Sequence, residues 1–169
     1  MAATFEIRPV RPEEAADWRE MRLEALRNHP TAFMDSYEEA SGRPLSELEA
    51  RLSQAGPSVT LGVYVERALL GTAGFVAETT LKTRHKGLMV GVYLRPALRG
   101  SGAADALVEA IIAHARQHVE MLKAVVNPAN EVARKLYFRH GFKTYGIEPR
   151  ALRQDGVDHD DELIVLALR

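Results

Sequence analysis

The sequence contains no cysteine, which removes disulfides, thiolate metal ligation and a cysteine nucleophile together and suits a reducing compartment. Neither sign of charge dominates: 22 basic residues stand against 23 acidic ones for a net charge of −1, so no global field draws the chain to nucleic acid. No apolar run approaches the ~18 residues of a membrane span, and the opening MAATFEIRPV has no charged region followed by an apolar stretch. Internal repeats, low-complexity tracts and linkers are absent as well. These absences point to a cytoplasmic protein with neither nucleic acid nor membrane as partner. What remains, 169 residues at 46% hydrophobic and 27% charged, suits one globular domain over 1–169 with a sizeable core.

Along the chain, Phe5 and Ile7 alternate with polar neighbours and predict a strand over 4–10. Pro12, followed by two glutamates, opens a helix expected to run to about His29. Residues 30–42 show no period and read as an irregular segment. A helix over 44–54 follows, with Leu45, Leu48 and Leu52 on one stripe. The period then changes, giving strands over 58–66, 69–79 and 87–94, the last reading as buried on both faces. A helix to Arg116, a short strand over 121–126 and a helix over 131–140 capped by Gly141 come next. Strands over 142–147 and 162–168 close the chain, joined by a long polar connection.

The stretch GLMVGVYLRPALRGSGAADALVEAIIAHAR, residues 87–116, organises this order. Arg95-Pro96 stops the strand, since proline lacks an N–H for the ladder and restricts the residue before it. A turn of small residues, Arg99, Gly100, Ser101, Gly102, Ala103 and Ala104, then leads straight into a helix whose Leu107, Val108, Ile111 and Ile112 share one side. Strand, bare turn and helix present backbone N–H groups at a positive helix end, which is an anion nest that needs no lysine. The turn is not a P-loop, because GxxxxGK[ST] is missing. A tight turn with close helix packing is the competing reading.

Arg99, Gly102 and Ala104 resemble the acetyl-CoA loop of the GNAT (Gcn5-related N-acetyltransferase) superfamily, and NPANEVARKLYFRHGF resembles its second motif at Asn130, Ala133, Leu136, Tyr137, Gly141 and Phe142. The element order resembles that superfamily too. The resemblance implies a mixed, mostly antiparallel sheet of about seven strands flanked by about four helices. It implies acetyl-CoA as co-substrate and no metal. The pyrophosphate would lie on the N–H groups of residues 100–104 with Arg99 adding charge, and the pantetheine would pair with the backbone of Val92 and Leu94. The gap for it would open between strands 87–94 and 121–126. Asn130 reads equally as a helix cap and as a cofactor contact.

The same resemblance makes Tyr137 the general acid and implies direct attack of a primary amine, of a small molecule or peptide, on the thioester. A core tyrosine is the plain alternative. Where some members carry a glutamate base, this chain has Leu88, which leaves Glu78, His85 or ordered water. Asp35, Tyr37, Glu38, Glu148, Arg150 and His159 stand in the regions that flank the family's acceptor cleft. The acids suit an amine, and Arg150 suits a carboxylate. The apolar terminal strand, left at a sheet edge, predicts a homodimer. A CoA-binding module without catalysis and an acyltransferase for longer acyl groups fit the same residues.

Overall fold

The computed structural model describes residues 4–169. β1 (Glu6–Pro9) passes through a 3₁₀ turn into α1 (Ala15–Asn28), α2 (Tyr37–Gly42) and α3 (Leu45–Leu52). β2 (Val59–Val65), β3 (Ala68–Ala77) and β4 (Lys86–Leu94) form a meander. They lead to α4 (Ala103–Arg116), β5 (Met121–Val126), α5 (Glu131–Arg139), β6 (Lys143–Gln154) and β7 (Val157–Ala167). The seven strands make one sheet in the order β1-β2-β3-β4-β5-β7-β6. Every pairing is antiparallel except β4 with β5; α4 supplies the crossover that a parallel pair requires.

Alternation along the strands sends successive side chains to opposite faces, and the two apolar clusters follow it. Val63 and Phe75 join Leu107, Val108 and Ile111 of α4 in one cluster, whereas Tyr64 and Tyr93 join Trp18 and Met21 of α1 and Leu48 of α3 in the other. Leu107, Val108 and Ile111 are fully buried, each such side chain worth ~1.5–3 kcal/mol of transfer free energy. Among the described residues no helix is long and apolar enough to cross a membrane.

Four expectations change. Among the described residues the α-helices number five, because residues 37–42 form α2, capped by Ser36 accepting from the Glu39 N–H while Glu39 reaches back to the Ser36 N–H. β4 is buried only in part: Met89 on the α4 face, Tyr93 on the α1 face and Gly87 are buried, but Leu88, Val90 and Val92 are half-open. The long polar connection is strand, since β6 and β7 meet through Asp155-Gly156, both at positive φ, the dipeptide that closes two-residue hairpins. Finally, β7 lies between β5 and β6. Both its edges are paired, so the dimer inferred from an unpaired terminal strand loses its premise.

A polar clamp ties β1 to the start of α1. Glu14 accepts from Arg8 at 2.7 and 2.9 Å, from the Tyr64 hydroxyl at 2.9 Å and from the Arg11 N–H at 2.9 Å. The Arg8 hydrogen bonds hold its carboxyl down at about 2, against an ordinary 4.5. A depressed carboxylate contributes stability that is complete above its unfolded value and is lost as pH falls through the folded one. Glu14→Gln therefore lowers unfolding free energy at pH 7 by on the order of 1–2 kcal/mol, the size of a charged hydrogen bond after solvent screening. Denaturant titrations of both proteins check this, and the gap between them closes as pH falls from 4.5 towards 2.

Candidate active site

β4 and β5 pair over three positions only, Lys86 with Met121, Gly87 with Leu122 and Leu88 with Lys123. Beyond them the strands part, and a cavity of about 420 Å³ opens along the divergence. A bulge shapes its β4 wall: Val90 pairs with Gly74 and Tyr93 with Thr72, so Gly91 and Val92 together oppose Ala73. The bulge re-aims the backbone at this point, and Gly91 stands at φ 61°. Leu88 to Val92, the end of β5, Asn127, and Asn130 with Tyr137 of α5 share the cavity with Trp18, Arg22, Asp35, Arg43, Arg51 and Asp161.

Tyr137 is 7% exposed and packs its ring against Phe142 at 5.9 Å between centroids. Its hydroxyl makes no hydrogen bond among the described residues, and burial pushes its pKa up. The helix carrying it is held to α4 by Asp105, which accepts from Arg139 at 2.6 and 2.7 Å and pairs with His140 Nε2 at 2.8 Å. Arg139 brings the Asp105 carboxyl down to about 2. Asn130 is the N-cap of α5, accepting from the Ala133 N–H at 3.2 Å, and it also lines the cavity. Its amide NH₂ remains available to a ligand.

Asp161 is the group that the sequence reading passed over. It lies on β7 just beyond the last β5 pair, Val126 with Glu162. Its neighbour Glu162 points the other way and is held by Arg134 at 2.6 Å, whereas Asp161, 5% exposed, faces the cavity with no hydrogen-bond partner among the described residues. Burial raises its pKa first, and the like charges of Glu148 and Asp160 add to that, opposed by His159.

The small-residue turn stands past the end of β4. The N–H groups of Arg99, Ser101 and Ala103 are taken by Pro96, Leu98 and the Ser101 hydroxyl. Those of Gly100, Gly102, Ala104 and Asp105 have no partner among the described residues, as the first turn of a helix leaves them. A Cβ placed at Gly100 or Gly102 would meet nothing within 4 Å, so the donors open onto free space. Gly102, at φ 84°, is the N-cap of α4. Bulk alone would be accommodated there, but a β-branched residue disfavours that φ strongly. Gly102→Val should turn these N–H groups away and cost coenzyme A roughly tenfold or more in Kd by calorimetry, with the thermal midpoint lowered by the backbone strain while the protein stays folded. Unaltered affinity would count against the turn as an anion site.

Residues 16–142 match the model of the Acetyltransferase (GNAT) family. The chain belongs to that family. Among solved structures, a GNAT-family acetyltransferase from Streptococcus pneumoniae superposes with a TM-score of 0.83 at 21% identity, covering 97% of this chain and 99% of its own. A protein from Salmonella typhimurium, solved with its cofactor acetyl-CoA, gives 0.81 at 21% identity over 98% and 95%. A GNAT superfamily phosphinothricin acetyltransferase from Sinorhizobium meliloti, in complex with acetyl-CoA, gives 0.82 at 20% identity over 99% and 89%. At these identities the likeness establishes the fold. No curated protein matches the chain.

The seven-stranded GNAT sheet thus brings Val92, Asn130 and Tyr137 to one cavity, with residues 99–104 beyond it. Leu94 pairs with Gly71 and packs on the core instead of lining the cavity. The free donors of the turn and the gap after Leu88 fit a pyrophosphate and an extended arm, which makes acetyl-CoA compatible with the residues present. Neither proposed base lines the cavity. Glu78 is held below the usual carboxylate range by Thr83 and nearby lysines, and His85 is exposed in the turn before β4. Of the six acceptor-cleft residues only Asp35 lines it. Tyr37 accepts from Arg27, Arg150 pairs with Asp158 on the β6–β7 hairpin, Glu148 stands opposite Asp161 on β6 without lining the cavity, and Glu38 and His159 do not line it either. Arg22, Arg43 and Arg51 were missed along with Asp161. They come from three segments with no shared motif, and no local signal marks them.

Proposed function

We propose that this single-domain chain is an N-acetyltransferase that moves an acetyl group from acetyl-CoA to a primary amine by direct attack in a ternary complex. The observation that carries this reading is a pair of polar groups on buried residues, the Tyr137 hydroxyl and the Asp161 carboxylate, which open onto one cavity without a hydrogen-bond partner among the described residues, beside the splayed end of β4. Acetyl-CoA supplies the activated acetyl thioester. Its pyrophosphate is received by the N–H groups of Gly100, Gly102 and Ala104, with Arg99 exposed beside them, and the arm pairs with β4 at Val92. Asn130 contributes its amide from the far wall.

The reaction asks two proton transfers of the protein. An amine enters as ammonium and attacks only after losing a proton. Asp161, ionised yet short of solvation, is the base that accepts it, directly or through one water. The departing sulfur needs a proton, and Tyr137, protonated throughout the working range because burial raises its pKa, donates it. Backbone N–H groups at the β4 bulge stabilise the developing oxyanion.

The test is a thiol-release assay with acetyl-CoA against polyamines, amino acids, aminoglycosides and peptide N-termini, with product confirmed by mass. Acceptor-dependent release and an N-acetylated product are expected. Coenzyme A binding by calorimetry without release for any amine would replace this reading by a binding module.

A further inference from the structure

Three guanidinium groups and one carboxylate occupy the wall supplied by α1, α3 and the segment between them. Asp35 accepts from Arg43 at 3.1 Å through both nitrogens and from Arg22 at 3.2 Å. Its charge is thus spent on two arginines, and it is not free to receive an ammonium. Arg51 of α3 makes no hydrogen bond or ion pair among the described residues; it lies 5.8 Å from the Trp18 ring centroid, and Trp18 is fixed by its indole N–H donating to Thr72 at 3.1 Å. A small recess of about 20 Å³ opens among Trp18, Arg22, Asp35, Arg43 and Arg51, room for a water-sized group such as an anion's oxygen. Arg22 reaches the reacting region itself, its Nη1 lying 3.2 Å from where a Gly91 Cβ would stand.

We propose that the acceptor is a zwitterionic amine whose carboxylate or phosphonate is seated on Arg22, Arg43 and Arg51, which leaves its amine to reach Asp161. This rests on the acetyl-transfer reading above and narrows its substrate class. A guanidinium fork matches an oxyanion bidentately, and an arginine left without a partner between two others is relieved by an incoming negative charge. Purely cationic amines meet repulsion at the same wall. The phosphate turn of α4 does not line this cavity, so the coenzyme's own anions are held elsewhere.

The experiment pairs L-methionine, L-phenylalanine, L-glutamate and β-alanine with their α- or C-terminal carboxamides, adds 3-aminopropylphosphonate, and uses putrescine and spermidine as cationic controls. Each is titrated calorimetrically into wild type, Arg51→Met and Arg51→Lys, and each is assayed for thiol release. At least one free acid or the phosphonate should bind and turn over, and the two arms tell carboxylate from phosphonate. Carboxamides should bind roughly 10- to 100-fold more weakly, the worth of one charge-assisted hydrogen bond. Arg51→Met should raise the acceptor KM by a like factor, leave the acetyl-CoA KM unchanged and remove the preference for acid over amide, with Arg51→Lys between them. Equal binding of acids and carboxamides, failure of every anionic amine to bind, or an acid affinity indifferent to Arg51→Met overturns the cradle. Polyamine turnover with no anion preference overturns the cradle and leaves acetyl transfer standing. Arg51-dependent acid binding without thiol release supports the anion site and removes the transfer reading.

Discussion

Asp161→Asn should lower kcat by ~10²–10⁴, the range for loss of one general base, while raising the melting temperature. Both effects have one cause. Asp161 is 5% exposed, has no hydrogen-bond partner among the described residues and lies near Glu148 and Asp160, so its ionised form is costly in the folded state. A carboxyl whose folded pKa is raised binds its proton more tightly when folded, and stability falls as pH rises from the ordinary 3.8 through the raised value. The amide carries no charge to desolvate. The variant's thermal advantage is therefore absent below pH 3.8 and complete above the raised value. In the wild type the acidic limb of the kcat/KM profile lies above the usual carboxylate range, and in the variant it disappears. Stopped-assay pH profiles with scanning calorimetry on both proteins check this; a variant of wild-type rate would remove Asp161 from the chemistry.

Tyr137→Phe should lower kcat by a similar ~10²–10⁴ with little change in acetyl-CoA affinity, since only the hydroxyl is lost. The ring is buried and touches Phe142, and phenylalanine preserves both features, so a purely structural tyrosine would leave the rate as it was. Burial raises the phenol's pKa well above its ordinary 10. The wild-type profile should accordingly show no alkaline limb from this group up to pH 10. Steady-state kinetics beside a coenzyme A titration separates the two roles.

Local chemistry made much of the fold legible. The 3.6-residue stripe of Leu107, Val108 and Ile111, the Pro96 stop and the cap at Asn130 act within one or two turns of chain, and the structure keeps them close to where the sequence puts them. α2 was legible too, through Ser36 and Glu39 three residues apart, and the β6–β7 hairpin through Asp155-Gly156. Both were obscured by the polar composition around them, because an exposed edge strand such as β6 has little apolar alternation to display.

The sequence by itself determined the strand–turn–helix with its open donors at Gly100, Gly102 and Ala104, the helix bearing Tyr137, and membership of a mixed α/β architecture. Each depends on propensity, capping and periodicity, which neighbouring residues decide. Only the tertiary structure decided that β4 and β5 stop pairing after Leu88, that Asp161 and Tyr137 line one opening, and that Arg22, Arg43 and Arg51 gather in the recess that holds Asp35. Those contacts join residues far apart in the chain. Burial, which raises the Asp161 carboxyl above the ordinary carboxylate range and leaves Arg51 without an ion-pair partner among the described residues, is a property of the assembled sheet and helices and has no imprint on the residues beside them.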